Sequence, residues 1–208
     1  RAKSSRRSSM TSSATAPESA RIDGRAARAE RTRRSIADAL HGLLVEGLDV
    51  SARAVAERAQ VSLRSVFQHF EDMESVYAEV SRLQETAITP HLEPIDPSLP
   101  LIERIERIVI ARDEMFAAIA PVRRAVNTHR TAKTSPFIRS SLLRLHRAQR
   151  DQIAATFAVE IGPDERRLLQ VDVWLSFETW DQFTWQHGLS RAATRGHLQS
   201  LLQSLLAV

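Results

Sequence analysis

Hydrophobic residues in the first part of the chain recur at the three- and four-residue spacing of an amphipathic α-helix. The pattern begins near Ile22 and is clear from Ala29. One face of this predicted helix carries its large apolar residues, which are Ile36, Leu40, Leu43 and Leu44. Gly47 follows that face, as expected where a helix ends in a left-handed turn.

Two short helices are predicted next, over residues 52–59 and 63–70, with Ser51 and Ser62 as their N-caps. The second helix is expected to bury an apolar face made of Val66, Phe67 and Phe70. A longer helix is predicted over residues 73–87. The pattern up to this point therefore predicts one long helix, a pair of short ones and a helix leading out of the pair.

Four prolines then interrupt the pattern and mark the best internal boundary; they are Pro90, Pro94, Pro97 and Pro100. Beyond them, helices are predicted over residues 101–119, 121–131, 136–161 and 164–187, and a last helix follows Ser190. The helix over 164–187 is apolar almost all round. Because no segment alternates like a strand, the sequence predicts an all-α fold of about nine helices.

Composition narrows the class of protein. The 208 residues include no cysteine, which excludes a disulfide framework, a thiolate zinc site and a cysteine nucleophile. No apolar run approaches the ~18 residues of a membrane span, so a cytoplasmic protein without a membrane anchor is expected. Residues 1–34 hold ten basic and three acidic residues, a net charge of +7, whereas residues 35–89 hold four and nine, a net charge of −5. We expect residues 1–21, which have almost no large apolar side chains, to form a disordered basic arm.

The pair of short helices predicts a helix-turn-helix, the motif that places its second helix in the major groove of DNA. Such a helix must be short, bury one face and offer small or polar side chains to base edges. Residues 63–70 meet these requirements. The predicted organisation is therefore a three-helix DNA-binding domain over residues 22–72 and a helical ligand-binding and dimerisation domain over residues 73–208.

The run SARAVAERAQVSLRSVFQHFEDMESVYAEV closely resembles the DNA-binding segment of TetR-family transcriptional regulators. The resemblance covers about residues 29–85, and the tract SFETWDQFTWQHGLS is similar to a common C-terminal type in that family. It implies base contacts from Leu63, Arg64 and Ser65, backbone contacts from Ser51, Arg53 and His69, and dimerisation through the last two helices. Three positions depart from the family pattern. The family usually has Gly where this chain has Gln60, Tyr where it has Phe67, and a Lys near the position of Met73.

Each predicted contact has a plainer alternative. Arg64 suits a guanine O6/N7 pair but could be a solvated arginine, and Leu63 could meet a thymine methyl or pack within the chain. The arginines that precede the short helices could contact phosphate or form a solvated face. The complete predicted DNA-binding set is Arg33, Arg34, Ser51, Arg53, Ser62, Leu63, Arg64, Ser65, Gln68 and His69.

The second domain suggests two further sites. An apolar or aromatic ligand is expected between the helices over 101–161 and the aromatic cluster, with a lining of Phe116, His129, Trp174, Phe177, Glu178, Trp180 and Asp181. A stripe on the last helix is expected to form the homodimer interface; it consists of Leu198, Leu201, Leu202, Leu205 and Leu206.

These features predict a dimeric repressor that leaves a palindromic operator in double-stranded DNA when a small apolar molecule binds. The alternatives are an activator, a regulator without a small-molecule ligand, and a helical protein whose helix pair binds another protein. No phosphate loop, His-Glu-x-x-His or nucleophile elbow indicates an enzyme. The seven histidines show no metal-ligand spacing, so no catalytic residue, metal or cofactor is expected.

Overall fold

Every regular element in the described residues of the computed structural model is helical. The structure describes residues 18–48, 50–128 and 135–207, with side chains from residue 24 onward except those of residues 125–128. The predicted all-α fold is thus confirmed. No helix within the described ranges is long and apolar enough to cross a membrane.

Four helices form the N-terminal part: α1 (Glu18–Val45), α2 (Ala52–Arg58), α3 (Leu63–His69) and α4 (Met73–Ile88). A 3₁₀ turn, Thr89–Leu92, follows α4. Because α1 begins at Glu18, residues 18–21 are helical rather than part of the expected disordered arm. Residues 1–17 of that arm lie outside the described residues.

The C-terminal part begins with two long helices, α5 (Leu101–Thr128) and α6 (Pro136–Thr156), and one further turn, α7 (Ala158–Ile161). Two shorter helices follow, α8 (Glu165–Trp174) and α9 (Phe177–Asp181). A π-helical segment, Gln182–Gln186, leads to the last helix, α10 (Arg191–Leu206).

Three predicted helix boundaries are wrong in this part. Pro121 lies inside α5 instead of starting a helix, and its neighbours Ala120 and Val122 are buried, so packing on both sides outweighs the hydrogen bond that proline cannot donate. The helix expected over 136–161 breaks at Phe157, whose side chain is fully buried. The helix expected over 164–187 breaks at Ser176, whose Oγ caps α9 by accepting from the N–H of Thr179 at 3.2 Å.

The core divides into clusters that follow the two parts of the chain. One apolar cluster joins α1, α2, α3 and α4 and extends to Val122 of α5 and Ile138 of α6. A second joins α5, α6, α8 and α10, and a third surrounds Phe116, Phe177 and Trp180.

The second cluster corrects the prediction for the leucine stripe. Leu198, Leu202 and Leu206 are buried in this chain's own core, and Leu205 packs partly against it. Leu201 is half-buried. Three of the five leucines therefore face inward, because α10 packs against α5 and α8.

Candidate nucleic-acid interface and neighbouring cavity

The turn between the two short helices requires a left-handed backbone. Gln60 has φ 56°, a region that glycine adopts more readily than any other residue. The N–H groups of Gln60 and Val61 donate to the carbonyls of Glu57 and Ala56, which ends α2 in a tight turn. The sequence thus places a glutamine where the local geometry favours glycine.

Serine side chains begin both short helices. Ser51 Oγ accepts from the N–H of Ala54 at 3.2 Å, and Ser62 Oγ accepts from the N–H of Ser65 at 3.0 Å. Both predicted N-caps are confirmed. Each hydroxyl keeps its own O–H as a donor, since capping uses only an oxygen lone pair.

The second helix of the pair, α3, buries a narrow face. Val66 lies inward on it, and Phe70, directly after the helix, is also buried. Among the predicted DNA-binding residues of this segment, Ser62, Leu63, Arg64 and Gln68 are exposed, whereas Ser65 and His69 are half-buried. The prediction that Phe67 is buried is wrong, because half of its surface is exposed. Val66 and Phe70 already fill the space against α1, α2 and α4.

Arg33 holds α3 from behind. Its Nη1 donates to the carbonyl of His69 at 2.8 Å, its guanidinium lies 4.3 Å from the ring centre of Phe70, and its Nη2 is 3.5 Å from Glu79 Oε2. These contacts give Arg33 a structural role within the N-terminal part, while its expected DNA contact stays a prediction. Sequence reasoning missed this role because the partners are 36 to 46 residues away.

Glu79 remains charged behind the interface. The hydrogen bond from Arg82 holds the pKa of Glu79 below its usual range, against the opposing effect of burial. Arg34 and Arg53 of the predicted set are exposed. Arg58, by contrast, is paired with Glu46. Arg34 and Arg53 are therefore exposed cations of α1 and α2.

A cavity of about 260 Å³ lies between α4, α5 and α6. Its wall is mostly apolar and includes Val80, Ile88, Ile119, Ile138, Leu142 and Leu145. Gln84 also lines it, and the buried amide nitrogen of Gln84 has no hydrogen-bond partner among the described residues. Glu85 and Arg144, which are joined by a hydrogen bond of 2.8 Å, lie at its edge.

The cavity is not where the aromatic residues predicted it. Phe116, Phe177 and Trp180 pack together with ring centres 5.7 to 6.1 Å apart, and Trp180 Nε1 donates to Asp113 at 2.9 Å. Phe116, Phe177 and Glu178 border a second cavity of only about 40 Å³.

Three other described residues of the predicted ligand set, Trp174, Trp180 and Asp181, line neither cavity. Trp174 is half-buried, and Asp181 pairs with Arg124 at 2.6 Å. His129 lies outside the described residues. Tryptophan and phenylalanine fill space as readily as they line it, so a ligand among these aromatic residues stays a prediction.

A further surface lies on α8. Leu169 and Val173, one helical turn apart, are 55% and 53% exposed. Trp185 of the π-helical segment is also exposed, with the guanidinium of Arg124 4.3 Å from its ring centre. These apolar groups have no cover within the described parts of the chain.

No family model and no curated protein matches the sequence. The structure, however, is similar to a TetR-family transcriptional regulator from Streptomyces coelicolor, with 19% identity, a TM-score of 0.67, and coverage of 86% of this chain and 81% of that one. It is also similar to a transcriptional regulator from Rhodococcus sp. Rha1, with 19% identity, a TM-score of 0.66, and coverage of 84% and 96%. The order of helices, the helix-turn-helix and these likenesses together show that the chain has the fold of TetR-family transcriptional regulators.

Proposed function

We propose that the chain is a DNA-binding transcriptional regulator that reads double-stranded DNA with α3. The observation that supports this most strongly is the division of α3 into two faces. Val66 and the following Phe70 anchor it to the core, while Arg64 and Gln68 are exposed. A short helix that packs on the core with one face and exposes a guanidinium and an amide on the other suits direct readout in the major groove.

The flanking residues supply the expected backbone contacts. Arg34 and Arg53 are exposed cations, and the free O–H groups of Ser51 and Ser62 can donate to phosphate oxygens. The half-buried His69, at the C-terminal end of α3, serves the same purpose, and the half-buried Ser65, in the first turn of α3, contacts a base. Phosphate contacts fix the orientation of α3, and Arg64 selects guanine.

The test is selection of an operator from a random duplex library, followed by titration of variants. Arg64→Ala should weaken selected DNA by about 1–3 kcal/mol and relax the preference at one base pair. Arg147→Ala, which removes an exposed arginine of α6, is the matched control and should leave both quantities unchanged. Absence of any selected sequence, with no salt-dependent binding to random duplex, would favour the alternative in which the helix pair binds a protein.

A homodimer on a palindromic operator is part of the proposal. The buried leucines of α10 cannot form the interface, so the exposed pair on α8, Leu169 and Val173, takes that role. α8 packs beside α10, the last helix, in the second core cluster. The proposed interface therefore adjoins the C-terminal helix. Two copies related by a two-fold axis would cover each other's α8.

Sedimentation equilibrium tests the dimer. A double variant, Leu169→Arg with Val173→Arg, should sediment as a folded monomer and bind a half-site more weakly than the dimer binds the full operator. Val159→Arg is the matched control, because Val159 is even more exposed but lies on α7. A double variant that stays dimeric would place the interface elsewhere.

Repression relieved by a small apolar molecule is proposed from the cavity and from the helix that borders it. α4 leaves the recognition helix through a capping box at Asp72 and Ser75, and it forms one wall of the cavity. Its first turn is tied to the start of α6, since Glu74 Oε1 accepts from Ser135 Oγ at 2.6 Å and from the N–H of Phe137 at 2.8 Å. A ligand that separates α4 from α6 would therefore move α3.

Binding of the neutral fluorescent probe N-phenyl-1-naphthylamine tests the cavity. Leu142→Trp should fill it and abolish binding, while Leu143→Trp, at an exposed neighbouring position, should bind as the native chain does. Any compound that releases DNA must in turn bind more weakly, by the same factor of roughly 5–150, when the operator is present. Equal affinity with and without operator would show that the cavity does not control DNA binding.

A further inference from the structure

The recognition helix carries an apolar ridge on its exposed surface. Leu63 and Phe67 are 42% and 50% exposed and lie one helical turn apart, so their side chains are neighbours. Arg64 and Gln68, the residues that follow each of them, are also exposed. The ridge therefore lies beside the polar side chains that are proposed to read DNA.

The core does not need these two side chains. Val66 is 1% and Phe70 2% exposed, so the contacts that fix α3 to the rest of the domain are complete without the ridge. An exposed large apolar group lowers solubility and is informative when it is paired with another. The ridge thus requires an occupant outside the N-terminal core.

Charge indicates which occupant fits. α3 contains no acidic residue, and exposed cations stand on the ridge's own helix and on the neighbouring elements, at Arg64, Arg53 and Arg34. A polyanion with apolar groups at the bottom of a groove matches this arrangement better than the apolar face of a protein. Among the base edges in the major groove, only thymine presents a methyl group.

We infer that Leu63 and Phe67 read the 5-methyl groups of thymines in each half of the operator. The inference rests on the proposed DNA-binding function and adds a rule of sequence preference to it. Four residues of α-helix rise about 6 Å, close to two base steps of ~3.4 Å. The ridge can therefore contact thymines at two positions within about two base steps of each other, next to the base pair that Arg64 reads.

Replacement of thymine by deoxyuridine tests the ridge, because it removes the methyl group and leaves base pairing intact. Each thymine of the selected operator is replaced in turn, and the affinity of the native chain is measured at fixed salt. One or two replacements per half-site should each lower affinity about fourfold, the effect of burying one methyl group. All other replacements should change affinity less than twofold.

Alanine variants then assign each methyl to a side chain. Leu63→Ala and Phe67→Ala should each bind the thymine operator more weakly and lose the deoxyuridine effect at one position. Gln68→Ala is the matched control on the same helix and should weaken thymine and deoxyuridine operators by equal factors. Thermal unfolding should show that all three variants fold as the native chain does, since the altered side chains are exposed.

Two results would overturn the inference. One is a native chain that binds thymine and deoxyuridine operators equally at every position; the other is a full deoxyuridine effect retained in both alanine variants. Either result leaves the proposed function standing, because the operator has still been selected. Failure to select any operator refutes the proposed function itself and is seen before the methyl test begins.

Discussion

The two parts of the molecule are built from different kinds of core. In the described residues, one of the ten buried polar or charged side chains, Glu79, precedes α5, and the other nine lie within α5 or after it. The helix-turn-helix unit is held mainly by apolar side chains, and Glu79, beside Arg33, is the one buried charge of the described residues before α5. The C-terminal part buries charged groups between its helices.

Asp113 shows how the C-terminal part is held. Its carboxylate is fully buried and accepts from Trp180 Nε1 at 2.9 Å, from Arg191 Nε at 3.0 Å and from Arg195 Nη1 at 2.8 Å. The adjacent Arg112 is also buried, and burial lowers the pKa of Arg112 to about 10. One helix, α5, thus joins α9 and α10 through polar contacts, whereas the polar side chains Arg64 and Gln68 of α3 are exposed.

The largest effect is expected where this polar core is broken. A double variant, Arg191→Ala with Arg195→Ala, leaves the buried carboxylate of Asp113 without a cation and should destabilise the fold by about 3–5 kcal/mol in urea unfolding. Arg107→Ala, which breaks an exposed pair with Glu103, is the control and should cost less than about 1 kcal/mol. Similar losses for the two would show that Asp113 contributes little.

The pH dependence of that loss sharpens the prediction. Burial acts to raise the pKa of Asp113, but the hydrogen bonds from Arg191 and Trp180 outweigh it, so the pKa lies below its usual range. The stabilisation that ionised Asp113 contributes to the native chain is therefore complete above the ordinary aspartate pKa of about 3.9. It is lost as pH falls through the lower pKa that Asp113 has in the folded state. Without the arginines, burial raises that pKa. The difference between variant and native chain should shrink from about pH 7 to about pH 4.

The next effect tests which leucines of α10 face inward. Leu202→Ala should destabilise the chain by about 2–5 kcal/mol, because Leu202 is fully buried within the second core cluster. Leu143→Ala, at an exposed position of α6, should change unfolding by less than about 0.5 kcal/mol. A Leu202 variant that unfolds like the native chain but sediments as a monomer would restore the leucine stripe as the dimer interface.

The difference between the N-terminal and C-terminal parts also explains which features could be predicted from the sequence. Local signals fixed the N-terminal helices: Ser51 and Ser62 as caps, and Val66 and Phe70 as anchors, emerged where expected. The C-terminal helices depend instead on contacts between residues that are far apart in the sequence. The inward position of Leu202 depends on how α10 packs against α5. The two helices are far apart in the sequence: Arg195 of α10 and Asp113 of α5, which share a hydrogen bond, are separated by 82 residues. No periodicity of a single helix encodes such a pairing.

In the candidate site, too, some features follow from local sequence and others only from tertiary contacts. The exposure of Arg64 followed from its place on α3, but the cavity could not be located from its aromatic neighbours, because Trp180 is held by Asp113 and fills space. Arg33 and Arg34 are adjacent in the sequence and indistinguishable by composition. Only the tertiary contact of Arg33 with His69 separates a structural arginine from a surface one.

A smaller effect distinguishes these two arginines. Arg33→Ala should destabilise the N-terminal unit by about 1–3 kcal/mol, since it removes a charged hydrogen bond to the carbonyl of His69 and a cation–π contact with Phe70. Arg34→Ala should leave stability unchanged but reduce the salt dependence of DNA binding by about 0.9, the value for one phosphate contact. Equal stabilities of the two variants would show that the contacts of Arg33 do not hold α3.

The smallest effect concerns the turn that sets the angle between α2 and α3. Gln60 has φ 56°, which costs about 1–2 kcal/mol for a residue with a Cβ atom, whereas glycine has no such cost but loses about 0.5–1 kcal/mol more chain entropy on folding. Gln60→Gly should therefore stabilise the chain by roughly 0.5 kcal/mol. Gln60→Ala is the control: it keeps the Cβ atom and should bring no gain in stability. If alanine stabilised as much as glycine, the benefit would come from the loss of the glutamine side chain, and the backbone of the turn would be unstrained.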